Sequence, residues 1–210
     1  MSYRDLASAA DLNGPWRLAF EPTEGGVLAD ARSVAEIESS GAPVYDATVP
    51  GNLELDLQAN GLIGEPFHGM NIAGLTRLET MRVVYWRTFQ APDRPGFRPI
   101  LEAQGVDCYA TIVLNGQVIG RCDNMLVEHR FELQPEDLRA ENEIIVIIEP
   151  PLRPTAEADY PPSAARHGRQ LRIAPDAQGS PHVRLGHHAA SPLGGHMAAR
   201  AHRVCARRAH

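Results

Sequence analysis

The chain has no lysine. All 20 basic positions among its 210 residues are arginine, which points to a coding sequence rich in G and C and not to a specialised surface. Cysteine is scarce: Cys108, Cys122 and Cys205 cannot all pair, and their spacing matches no zinc pattern. Free thiols in a reducing cytoplasm are the expectation. No apolar run approaches the length that spans a bilayer. The opening MSYRDLASAADLNGPW lacks the basic start and apolar stretch of a secretory leader. Acid is missing from one region. Asp176 is the last acidic residue; 26 acids and 15 arginines up to that point give −11, and five arginines stand alone after it. Five of the nine histidines also fall after residue 186. Residues 183–210 therefore read as a different kind of polypeptide from residues 1–175.

What is present is a series of short, regularly spaced strands. Hydrophobic content of 43% and charged content of 22% belong to a globular protein with one core, alone or with an appendage. Leu12 to Phe20 alternates Trp16, Leu18 and Phe20 after a Gly-Pro turn. Val84, Trp86 and Thr88 alternate in the same way. Pro99–Ala103, Tyr109–Leu114, Val118–Arg121, Glu128–Leu133 and Glu143–Glu149 follow, with turn signals between them. That spacing predicts an all-β sandwich or barrel. Ile112, Leu114 and Val118, Ile119 flank Asn115-Gly116, the pair that tolerates the positive φ angles of a two-residue hairpin turn. Asn142 to Pro150 is nearly all apolar, as a central strand covered on both faces would be.

Helices are few. Asp30 to Ser40 carries Val34 and Ile37 three apart, with Asp30 or Ser33 as the cap. Asn52 to Gly61 alternates Leu53, Leu55, Leu57 like a strand, yet the shared face of Leu53 and Leu57 and the terminal Asn60-Gly61 favour a short helix. Pro135 to Arg139 reads as one helical turn. Past Pro154 the chain is rich in Pro, Ala and Arg, without periodicity.

Four stretches together carry a resemblance. VPGNLELDLQANGLIGEPFHGMN (49–71), VYWRTFQAP (84–92), GVDCYATIVLNGQVIGRCDNMLVEHRFEL (105–133) and ENEIIVIIEPPL (141–152) resemble, in order, the amino-terminal domain of β-mannosidase-like enzymes of glycoside hydrolase family 2. The resemblance covers about residues 10–175 and implies a galactose-binding-like jelly-roll sandwich, with an irregular, disordered tail over 176–210. In that family the domain packs beside an immunoglobulin-like domain and a (β/α)8 barrel, and the barrel supplies the two glutamates of a retaining glycosidase. The resemblance therefore implies a truncated β-mannosidase-like hydrolase whose partner is a β-mannoside-like carbohydrate, with no cofactor, metal, nucleic acid or membrane involved. A stand-alone carbohydrate-binding module is the alternative; a purely structural domain shaping a barrel's rim in trans is a third. No catalytic residue is assigned: Asp56, Glu79, Asp123 and Glu128 are expected to be solvated or turn residues.

One sugar contact is carried over, Asn71, at the end of the Phe67-His68-Gly69-Met70 loop. An amide both donates to and accepts from hydroxyls; the competing reading is a loop amide bonding its own backbone. The family places acidic and aromatic residues just downstream, where this chain has Ile72, Ala73 and Arg77. Asp123-Asn124 also sits in a family motif, but an Asx turn explains it equally well. Trp16 and Trp86 are expected in the core.

The tail departs further. After Arg172-Ile173-Ala174-Pro175 the family has a Trp-Asp motif and then Gly-x-Trp-Arg-Pro-Val, absent here. Reading the codons allowed from Val183 onward from their second base permits FGWDIMPRLPSAGIWRPVRIE, and Met197-Ala198 forces the second Trp. The expectation is a frame slip between about Ile173 and Val183. It would remove the Asp that the resemblance assigns to the sugar subsite. It would also remove a late strand, leaving an unpaired sheet edge and an aggregation-prone product. The rival reading of the tail is a metal or nucleic-acid site from His187, His188, His196, His202, Cys205 and the arginines 200, 203, 207 and 208. It lacks carboxylates and regular ligand spacing.

Overall fold

The computed structural model describes residues 10–66, 68, 71–92, 97–107, 109–150, 196–197 and 203–208. In chain order its strands are β1 (Ala10–Asp11), β2 (Gly14–Pro22), β3 (Val44–Val49), β4 (Gly51–Asn52), β5 (Met81–Phe89), β6 (Phe97–Gln104) and β7 (Val106–Asp107). Then come β8 (Tyr109–Leu114), β9 (Gln117–Cys122), β10 (Glu128–Glu132), β11 (Asn142–Glu149), β12 (His196–Met197) and β13 (Arg203–Arg208). Helix α1 spans Val34–Ser39 and α2 Leu53–Ala59. A 3-10 segment, Asn71–Thr80, leads into β5.

The main sheet has the order β3-β2-β5-β11-β8-β9, and the sheet facing it β1-β13-β6-β10. A three-stranded patch, β4-β12-β7, completes the set. All described pairings are antiparallel. Leu18, Val83, Tyr85, Ile112, Leu114, Ile144, Val146 and Ile148 pack on Leu101, Ala103 and Val106 in one core. The other face of the main sheet carries Ala19, Val84, Trp86, Val113, Ile145 and Ile147, covered by Leu28, Ala31 and Ile37 from the segment around α1.

That second layer is why β11 has no polar alternation. It lies between β5 and β8, and Ile144 to Ile148 are all buried, successive side chains entering opposite cores. The hairpin forms as expected: Asn115 and Gly116 take φ of 50° and 91° between β8 and β9. Asn115 is also a junction, its Nδ2 donating to the Asp137 carbonyl (2.7 Å) and to Asn142 Oδ1 (2.8 Å). Ser33 caps α1, accepting from Glu36 N at 3.3 Å. Asn52 caps α2, accepting from Leu55 N at 2.8 Å, and Gly61 follows with φ +71°.

Two expectations change. The loss of a late strand is expected to leave an unpaired sheet edge, yet a tail segment, β13, pairs along β6 from Arg203–Glu102 to Arg208–Phe97. A ladder is made by backbone groups, so a segment without hydrophobic alternation still fills the slot. Asp56 is neither solvated nor in a turn; it is buried on α2. Of the metal or nucleic-acid ligands weighed for the tail, His196 falls in β12 and Arg203, Cys205, Arg207 and Arg208 in β13; His187, His188, Arg200 and His202 lie outside the described residues, as does Cys108.

Candidate functional site

Helix α2 leads into the loop that carries Asn71. Its C-terminus is tied down by Asn60, whose Nδ2 donates to the Asp46 and Asp56 carbonyls at 2.8 and 2.7 Å. Leu62 N donates to the Leu57 carbonyl at 2.9 Å. Gln58 Nε2 then reaches Glu65 Oε2 at 2.9 Å. Asn71 is exposed, its backbone N donating to His68 O (3.3 Å) and its Nδ2 to Glu65 O (2.8 Å). One of the two Nδ2 hydrogens is thus engaged with its own loop.

Asp123 and Asn124 are exposed, and Asn124 Oδ1 accepts from Leu126 N at 2.9 Å, an Asx turn. Trp16 and Trp86 are buried, Trp16 donating from Nε1 to Leu12 O at 2.7 Å; neither offers a face to a sugar ring. Glu128 accepts from Gln104 Nε2 at 2.7 Å and pairs with Arg130. Glu79 lines a cleft of about 820 Å³ with Pro22, Thr23, Glu24, Gly25, Thr80 and Pro150. Burial pushes its carboxyl above the ordinary value. The cleft lies at the far end of the 3-10 segment from Asn71.

Sequence reasoning missed the buried acids of α2. Asp56 Oδ1 accepts from Thr48 N at 3.0 Å and Oδ2 from the Tyr85 hydroxyl at 3.1 Å. Burial raises it to about 6, with the Glu54 carboxylate adding to the rise and the two hydrogen bonds opposing it. Glu54 is wholly buried while Leu55 is half exposed. The signal for Asp56 was its spacing, three residues from Leu53 on the helical face that enters the core. Among the described residues no group of three His, Cys, Asp or Glu side chains is placed to hold a metal ion. No helix among them is long and apolar enough to cross a membrane.

Two facing antiparallel sheets with only two short α-helices among the described residues define a galactose-binding-like sandwich. The chain belongs to the family described as glycosyl hydrolase 2 galactose-binding domain-like, which matches residues 31–187. Relatives include Beta-mannosidase B of Thermothelomyces thermophilus, 39% identical over 102 residues, or 48% of this chain and 12% of that protein. Beta-mannosidase B of Emericella nidulans is 38% identical over 87 residues, 41% of this chain and 10% of that protein. The Beta-D-Mannosidase of Dictyoglomus thermophilum shares the fold with a TM-score of 0.61 at 24% identity, over 95% of this chain and 22% of that one. The exo-chitosanase CsxA of Amycolatopsis orientalis does so at 0.53 and 16% identity, over 68% and 16%. The chain spans about an eighth of the length of the first of these relatives.

Proposed function

We propose that these residues are the amino-terminal, sugar-binding-like part of a β-mannosidase-like glycoside hydrolase and do not hydrolyse a glycoside by themselves. The observation that supports this most is the family match over 31–187 together with relatives named Beta-mannosidase B. In this reading the parent reaction releases a terminal β-linked mannose or related sugar with retention, using a glutamate pair on a barrel outside these residues. Among the described residues Asn71 is the candidate sugar contact, through its carbonyl oxygen and the Nδ2 hydrogen not given to Glu65 O. The thiols are kept reduced in the cytoplasm.

The same reading includes a shift of frame near residues 173–183, supported by the loss of acid after Asp176. Sequencing the DNA across those codons tests it, and codons unable to encode the Trp-Asp and Gly-x-Trp motifs one base on refute it. For the domain, calorimetric titration of the 210-residue chain with a β-mannoside and a hydrolysis assay on an aryl β-mannoside are decisive. No hydrolysis and little binding is the expected result. Micromolar binding without hydrolysis establishes the carbohydrate-binding module instead, and turnover overturns both.

A further inference from the structure

Asp56 fastens α2 to the sandwich. Its two oxygens take the Thr48 amide at the end of β3 and the Tyr85 hydroxyl in β5. The titratable groups that act on it are Glu54 of its own helix and Tyr85 of β5; β3 offers only the Thr48 amide. Ionised, the carboxylate accepts from both partners. Protonated, Oδ2–H donates to the Tyr85 oxygen and Oδ1 still accepts from Thr48. The number of bonds does not change with the proton. What changes is a negative charge sunk in the core beside a second buried carboxyl, Glu54.

The helix so fastened holds the loop beyond it. Gln58 grips the Glu65 side chain, and the Glu65 carbonyl accepts from Asn71 Nδ2 at 2.8 Å and from His68 N at 3.3 Å. The position of α2 therefore sets Glu65, and Glu65 sets Asn71. We propose that Asp56 is a positioning residue: it holds the Asn71 loop in place while it carries a proton and lets that loop loosen once the proton leaves. An ionised Asp56 gains water only if α2, seven residues long between Gly51 and Gly61, swings away from β3 and β5. That movement takes Gln58 off Glu65. The consequence for sugar binding rests on the reading of Asn71 above; the loosening itself does not.

The direction follows from the raised carboxyl. The fastened state binds the proton more tightly than the open one, so fastening is fully favoured below about 3.8 and fades as pH rises through about 6. With those two values the open fraction grows about tenfold between pH 5 and pH 7.

Hydrogen exchange of the sugar-free 210-residue chain, resolved by amide and corrected for intrinsic rates, tests this. The amides of Leu62, His68 and Asn71, each bonded within the segment, should lose about tenfold protection between pH 5 and 7. Asp56→Asn should abolish that slope. Tyr85→Phe should keep it and move its midpoint upward, because the hydroxyl normally lowers the Asp56 value; this variant carries the test if Asp56→Asn does not fold. A flat wild-type profile, an unchanged slope in Asp56→Asn, or a slope confined to β11 amides overturns the proposal. The sugar reading fails separately: if Asn71→Ala leaves mannoside titration unchanged, Asn71 is no contact, whatever the exchange shows.

Discussion

Replacing Arg82 by Met should cost more stability than any other single exchange of a charged residue here. Arg82 is 3% exposed and bridges two strands' worth of acid: Nη1 to Glu21 Oε1 at 2.8 Å, Nε to Glu149 Oε1 at 2.6 Å, and Nη2 to Glu149 Oε2 at 3.3 Å. Glu21 is itself buried and also accepts from Val27 N (2.8 Å) and Leu28 N (2.7 Å), fixing the start of the segment that covers the second core. Methionine fills the volume but leaves the Glu21 carboxylate with two amide dipoles and no counter-charge. Breaking a buried pair from one side costs about 3–5 kcal/mol. The Glu149 side chain is 28% exposed, so water replaces the lost partner there and Glu149→Gln should cost about 1 kcal/mol or less. The double variant Arg82→Met/Glu21→Gln removes the orphaned charge and should fall short of the summed single losses by about 1 kcal/mol or more. Urea unfolding at pH 7, followed by the fluorescence of the buried Trp16 and Trp86, reads the wild type, the single variants Arg82→Met, Glu21→Gln and Glu149→Gln, and the double variant. If Arg82→Met loses less than about 1 kcal/mol, the charge is being hydrated in place and the reasoning is wrong.

Two further exchanges test the packing of the β9 edge. A side chain at Gly120 would overlap the Phe131 ring of β10, so Gly120→Ala should destabilise by about 1–3 kcal/mol. Relief by Phe131→Leu in the same chain would locate the clash, and an unchanged midpoint in urea would refute it. Cys122 is buried, and burial, reinforced by Asp123, pushes its thiol up to about 12. Iodoacetamide at pH 8 should therefore leave Cys122 unlabelled until urea unfolds the chain. Labelling of Cys122 in the native protein, mapped by mass spectrometry, would contradict the packing described.

Much of the sandwich was legible because its signals are local. Asn115-Gly116 demands positive φ whatever surrounds it, and an unbroken apolar run such as Ile144–Ile148 has few homes other than a strand covered on both sides. The Ser33 cap of α1 and the Asn60-Gly61 end of α2 were readable for the same reason, since they act within one turn, whereas the Asn52 cap of α2 was not picked out. Strand β3 was not read, because only Ala47 and Val49 of its six residues are buried and its place beside β2 is set by pairing across the chain. The 3-10 segment hid for another reason: Leu75 and Leu78 are buried at a spacing of three, which suits three residues per turn but also a helix. In the candidate site, Asn71 could be picked by resemblance, whereas its dependence on Glu65 and Gln58 is a matter of tertiary geometry that no spacing encodes. The burial of Glu54 beneath an exposed Leu55 runs against hydropathy, and pattern alone would have reversed it.

The position of β2 bears on where this domain begins. The family match starts at residue 31, yet Gly14–Pro22 runs between β3 and β5 and supplies Trp16, Leu18 and Ala19 to the two cores. A polypeptide started at that boundary would keep every matched residue and lose the strand that joins β3 to β5. β3, already an edge strand, would lose its partner, and β5 would become an open edge. Among the described residues, the fold thus reaches some twenty residues ahead of the matched boundary, to Ala10.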